Sequence, residues 1–152
     1  MSSKMYRKIL IATDGSEYTK NAVDHGIDLA KNLEAQLYAI YVVDTAAFAS
    51  IPMDAAWESM YELLKQEGDE ATKYIGEKAG TEGLEVERLT VEGHPAEEII
   101  KYAEENSVDL IVMGTLGKSG LDRFLLGSVA EKVVRTSKIP VLVVRGKENK
   151  KR

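Results

Sequence analysis

The sequence predicts an α/β fold: one domain built on a five-stranded parallel sheet with helices on both faces. Three observations carry this. Short apolar runs alternate with helical stripes along the whole chain. Several of the runs are apolar throughout, as parallel strands covered on both faces tend to be. Turn and capping residues stand between the runs and the stripes.

The first strand is Ile9-Leu10-Ile11-Ala12, ended by Asp14-Gly15. Ser16 is placed to cap a helix with Ala22, Val23, Ile27, Ala30 and Leu33 on one stripe. A second strand runs from Leu37 to Val43. Asp54 then caps a longer helix carrying Met60, Leu63, Leu64, Ala71, Tyr74 and Ile75, with Gly68 as a point where it would bend or break. The third strand, Leu84 to Val91, alternates apolar residues with charges. Pro95 suits the first position of the next helix, with Glu97 and Glu98 in its first turn and Ile99, Ile100 and Ala103 facing inward. Leu110 to Met113 is the fourth strand. A glycine-rich loop leads to a last helix near Ser128, with Val129, Ala130, Val133 and Val134, and Ile139 to Val144 is the fifth strand. In open sheets of this kind the ligand sits beyond the carboxyl ends of the strands, where the strand order reverses. That rule points to Thr13-Asp14-Gly15 and to Gly114.

Composition sets limits. The 152 residues fit a single domain spanning 1–152, with the tail 146–152 read as flexible. No cysteine is present, so disulfides and thiolate metal sites are excluded, and two histidines are too few for a histidine-rich site. A net charge of −5 argues against a nucleic-acid surface. No apolar run approaches the ~20 residues of a membrane span, and the first strand is too short for a signal-peptide core. The expected compartment is the cytoplasm.

The informative segment runs from Gly114 through Gly117 and Gly120 to Gly127-Ser128. Glycines let the backbone approach a ligand, successive amides form anion-binding nests, and a helix start adds free N–H groups. Two familiar phosphate motifs fail here. Gly117-Lys118-Ser119 resembles the end of a P-loop, but the required first glycine is replaced by Val112 and Gly120 follows at once. The dinucleotide fingerprint G-x-G-x-x-G is absent.

What remains, Gly114-x2-Gly117-x9-Gly127-Ser128, resembles the ATP-binding signature G-x2-G-x9-G-[ST] of universal stress proteins. The similarity extends over Met5 to Arg145: MYRKILIATDG, the end of the second strand at Tyr41-Val42-Val43-Asp44, GHPAEEII, VDLIVMGTLG, LLGSVAEKVV and IPVLVVR all resemble segments of that family. The resemblance implies strand order 3-2-1-4-5 and a bound adenine nucleotide, ATP, with Mg²⁺ or Mn²⁺ carried on its phosphates. It implies adenine beside Ala12, Thr13 and Val42, and ribose and phosphates on the backbone of Met113, Gly114 and Gly117. Gly127, Ser128 and Val129 would hold phosphates at the helix start. Asp14 would stand near the ribose or the metal–phosphate end; alternatively it is a turn aspartate at a helix entry. Ser128 would act as helix cap, phosphate ligand, or both. Lys118 and Arg123 read either as phosphate helpers or as solvated loop charges. Trp57 reads as core or interface packing, or as a cover for the pocket.

The family also pairs its last strand with that of a second subunit, which implies a homodimer through Pro140–Val144. No nucleophile–base pair or Walker lysine is legible, so binding with slow or no hydrolysis is favoured, as in a nucleotide-dependent switch acting on an unknown protein partner. The alternatives are a nucleotide-free interaction protein of the same fold and, behind it, a nucleotidyl transferase or ATP-hydrolysing enzyme. Thr13-Asp14-Gly15-Ser16 stands where a nucleotidyl transferase of related fold would carry H-x-G-H or S-G-G-x-D-S.

Overall fold

Strand β1 (Lys8–Ala12) lies at the centre of the sheet, and from Ile9 to Ala12 its side chains are apolar and buried on both faces. Ile9 and Ile11 point to one layer of helices, Leu10 and Ala12 to the other. The computed structural model describes residues 5–52, 54–115 and 126–146. Around β1 stand β2 (Gln36–Asp44), β3 (Val86–Gly93), β4 (Leu110–Gly114) and β5 (Val141–Val144), all parallel, in the order β3-β2-β1-β4-β5. Helices α1 (Lys20–Leu33) and α2 (Ala55–Gly80) cover the Ile9/Ile11 face. Helices α3 (Pro95–Glu105) and α4 (Ser128–Thr136) cover the Leu10/Ala12 face. The expected strand order and helices on both faces are therefore present. The tail beyond Gly146 lies outside the described residues.

Several local expectations need correction. Ser16 does not cap α1. It precedes a short 3-10 turn, Glu17–Thr19, makes no side-chain capping bond, and α1 starts only at Lys20. The chain leaves β1 through an Asx turn, with Ser16 N–H donating to Asp14 Oδ1 at 3.0 Å, and this turn takes over the role of the cap. Asp54 does cap α2, accepting from the amides of Ala56 and Trp57. Met60 and Leu63 are exposed, at 41% and 65%, so the apolar face of α2 narrows toward its start. Val134 on α4 is exposed as well.

Gly68 does not break α2. The helix runs unbroken past it, and glycine is required there by packing. A Cβ at Gly68 would fall 2.6 Å from Tyr41 Cδ1 and 3.1 Å from Thr90 Cγ2. The missing side chain lets α2 press against β2 and β3. Gly68→Ala should therefore destabilise the fold, although alanine gains about 1 kcal/mol of helix propensity. The overpacking against a buried ring costs about 1–3 kcal/mol, and urea unfolding would read the net loss.

A small cluster closes the end of the sheet above β2. Phe48, from the 3-10 turn Thr45–Phe48, packs on Trp57 with ring centroids 5.3 Å apart, and Trp57 stacks on Tyr61 at 5.4 Å. Tyr61 donates its hydroxyl to Glu92, and this bond raises the Tyr61 pKa. Trp57 is thus a packing residue beside the cleft described next and does not line it.

Candidate functional site: a cleft at the carboxyl ends of the central strands

The order reverses between β1 and its neighbours β2 and β4, so the connections leaving those strands part and open a crevice. A cleft of about 410 Å³ occupies it, within the usual range for small-molecule sites. Its walls include Ala12, Thr13 and Asp14 from the end of β1, Val42 from β2, and Met113 and Gly114 from β4. Gly127, Ser128 and Val129 complete it from the start of α4. The sequence-predicted site residues converge on this one space, except Gly117, which lies outside the described residues together with Lys118 and Arg123.

The turn after β1 is held by its own side chains. Thr13 Oγ1 accepts from Gly15 N–H at 3.0 Å and lies 3.2 Å from Thr19 Oγ1. Gly15 takes φ +81°, a conformation that L side chains rarely adopt. Asp14 fills the turn role with Oδ1 and stands in the cleft wall at the same time. Thr13 N–H is committed to Ile40 O at 3.0 Å, which removes that amide as a reader of a base.

Beyond this point β2 outruns β1. The last matched pair is Ala12 with Ile40, while β2 continues to Asp44. Polar groups of residues two apart in a strand share one edge. The amide and carbonyl of Val42 therefore lie on the edge from which Ile40 bonds Thr13, past the end of β1 and facing the crevice.

The other wall is clamped where the loop returns. Gly127 N–H donates to Thr115 O at 2.6 Å, and Thr115 N–H donates to Val144 O at 3.1 Å. The Gly127 amide is thus spent on Thr115. Gly127 is itself the N-cap of α4, with no side-chain capping bond, so Ser128 is the first helical residue and not the cap. Glu131 N–H to Gly127 O, at 2.8 Å, is the first rung of the helical ladder. The amides of Ser128, Val129 and Ala130 precede that rung, at the positive end of the helix dipole. Gly127 has φ −61° and ψ 156°, extended backbone open to any residue. Its conformation does not require glycine.

Among the described residues no lysine or arginine lines the cleft. Its charges are the carboxylates of Asp14 and Asp44, and no cluster of three or more metal-ligating side chains is found among the described residues. The helices flanking one side are tied by Lys132 Nζ to Glu97 Oε2 at 3.1 Å. That hydrogen bond, and then the lysine charge, hold the Glu97 carboxyl below its ordinary range. Sequence reading missed Thr19, Asp44 and Leu64 as wall residues. Asp44 had a signal, since it ends a strand at the carboxyl edge of the sheet. Thr19 and Leu64 had none, because they reach the cleft only through a 3-10 turn and the packing of α2.

Comparison with known proteins places this geometry. The profile of the universal stress protein family matches residues 5–145. Universal stress protein MJ0531 of Methanocaldococcus jannaschii is 49% identical over 141 residues, spanning 93% of this chain and 83% of its own. The solved structure of hypothetical protein MJ0577 superposes with a TM-score of 0.80 at 34% identity, covering 95% of this chain and 99% of its own; MJ0577 is a universal stress protein of the same organism. A universal stress protein solved in complex with cAMP superposes with a TM-score of 0.67 at 26% identity, over 92% of this chain and 97% of its own. With the family profile covering nearly the whole chain and a relative close to half identical, this chain belongs to the universal stress protein family.

Proposed function

We propose that this protein binds ATP in the cleft and acts as a nucleotide-dependent switch with slow or no hydrolysis. The observation that carries this reading is the meeting, across one cleft, of two sets of backbone groups that have no hydrogen-bond partner among the described residues. Val42 offers an amide and a carbonyl, a donor beside an acceptor, which suits the edge of a base. Ser128, Val129 and Ala130 offer amides ahead of the helical ladder, which suit phosphates. In this reading Ala12 and Thr13 border the adenine, and Met113, Gly114 and Gly117 border the ribose and phosphates. Asp14 has Oδ1 in the turn and would lie near the ribose or the metal–phosphate end, where it would help hold Mg²⁺ or Mn²⁺ carried by the nucleotide. The relative in complex with cAMP supports an adenine nucleotide as the ligand class. Titration of the purified protein with ATP, with and without Mg²⁺, tests the reading through calorimetry and Trp57 fluorescence. Saturable binding without product formation is expected; absence of binding would favour the nucleotide-free interaction protein, and fast turnover would favour the enzyme.

The same reading pairs two copies through Pro140–Val144. The edge strands of the sheet are β3 and β5, and they differ. Exposed Glu87, Arg88 and Glu92 protect β3. On β5, Val141, Leu142 and Val143 remain only half-buried. An apolar edge left unpaired invites a strand, and a two-fold axis supplies one. Sedimentation equilibrium should return twice the chain mass at micromolar concentration; a monomer there would remove the pairing. Among the described residues no helix is long and apolar enough to cross a membrane.

A further inference from the structure

We propose that Asp44 selects the base, by accepting a hydrogen bond from an exocyclic amine. The inference rests on the nucleotide reading above and names the chemistry its base must have. Asp44 ends β2, two residues beyond Val42, and lines the same cleft. Side chains two apart share a face of the strand, so Asp44 follows Val42 along one wall at a distance of roughly 6–7 Å. Its Oδ1 accepts from Ala47 N–H at 3.1 Å, which fixes the carboxylate against the turn above β2. Its Oδ2 has no hydrogen-bond partner among the described residues.

Strand polarity then sets the orientation of a base. Along β2 the Val42 N–H precedes the Val42 carbonyl, and Asp44 lies downstream of both. A base that accepts from the N–H through a ring nitrogen and donates to the carbonyl through an adjacent amine places that amine on the Asp44 side. An amine has two hydrogens; the carbonyl takes one, and the carboxylate is placed for the other. Adenine has this pattern. Hypoxanthine carries an oxygen in place of the amine and a hydrogen on the adjacent ring nitrogen, so it loses the match to the Val42 groups, and its oxygen would also face a carboxylate with nothing to donate. Part of the discrimination then falls on Val42, and the part that Asp44 adds comes from two acceptors left facing one another.

The test compares ATP with inosine triphosphate on the unmodified protein and on Asp44→Asn. Asparagine keeps an oxygen to accept from Ala47 N–H and turns an amide donor toward the cleft. The unmodified protein should prefer ATP by tenfold or more, about the worth of one hydrogen bond to a charged group. Asp44→Asn should weaken ATP and strengthen inosine triphosphate, so that the preference falls at least tenfold, with thermal unfolding unchanged within a few degrees. Equal affinity for both nucleotides in the unmodified protein would overturn the proposal without any variant. So would a preference left unchanged by Asp44→Asn, since the Val42 groups alone would then account for it. If the unmodified protein binds neither nucleotide, the nucleotide reading itself falls and takes this assignment with it, an outcome distinct from the other two.

Discussion

Gly127→Val should lower ATP affinity by about a hundredfold, near 2.7 kcal/mol, while leaving the fold nearly as stable as before. The backbone at 127, φ −61° and ψ 156°, accommodates valine without strain. Both of its main-chain bonds, to Thr115 O and from Glu131 N–H, involve atoms that the substitution keeps. Valine is a poorer N-cap than glycine, which sets the stability loss at about 1 kcal/mol or less. What changes is the space in front of the α4 amides. A branched side chain at the cleft wall would stand between a phosphate and the N–H groups of Ser128, Val129 and Ala130. Losing two charge-assisted hydrogen bonds is enough for the stated factor. Calorimetric ATP titration measures the affinity and urea unfolding the stability. Loss of both together would mean that Gly127 is needed for folding; loss of neither would mean that phosphates do not approach there.

Ile11→Ala should cost about 2–5 kcal/mol of folding stability, the usual range for emptying a buried isoleucine site. Ile11 is fully buried at the centre of β1, paired in register with Ala39 and Val112. Its side chain fills the space that Gly26 leaves on α1: a Cβ there would fall 2.6 Å from Ile11 Cδ1. The two residues are therefore coupled, and a double-mutant cycle exposes it. Gly26→Ala alone should destabilise through that clash. In the Ile11→Ala background the same change should restore stability, since the methyl enters the cavity and the helix gains about 1 kcal/mol of propensity. Urea midpoints of the four proteins decide the matter, and simple additivity would show that the contact is not the reason for glycine at 26.

The sheet was legible in the residues because its strands are apolar runs bounded by turn signals, and Ile9–Ala12 and Leu110–Met113 needed nothing more. Strand order was not: periodicity says which faces are buried and nothing about which neighbour lies alongside, so 3-2-1-4-5 came from the family resemblance. Errors fell where tertiary packing overrides local preference. Ser16 carries a capping side chain, yet Asp14 reaches the amide first and delays the helix to Lys20. Gly68 has the poorest helix propensity short of proline, yet Tyr41 requires the absence of a side chain there. At the cleft, Gly114, Gly127 and Ser128 were visible as a spacing. Asp44 was visible only as the end of a strand, and its place in the wall needed the turn that follows it. Glycine at 127 illustrates the difference between the two kinds of signal. Its residue type was legible, but only the extended backbone there separates a requirement for space from a requirement for a turn.

The central claim is that main-chain amides at the start of α4 receive the phosphates of a nucleotide whose base lies on Val42. Backbone amide NMR shifts during ATP titration report on those groups one by one. The account predicts that the largest changes fall on Ser128, Val129, Ala130 and Val42, with adenosine alone moving Val42 and leaving the α4 amides nearly still. Changes confined to another surface, such as the groove between α1 and the end of α2 lined by Asp24, Lys31 and Glu82, would contradict it.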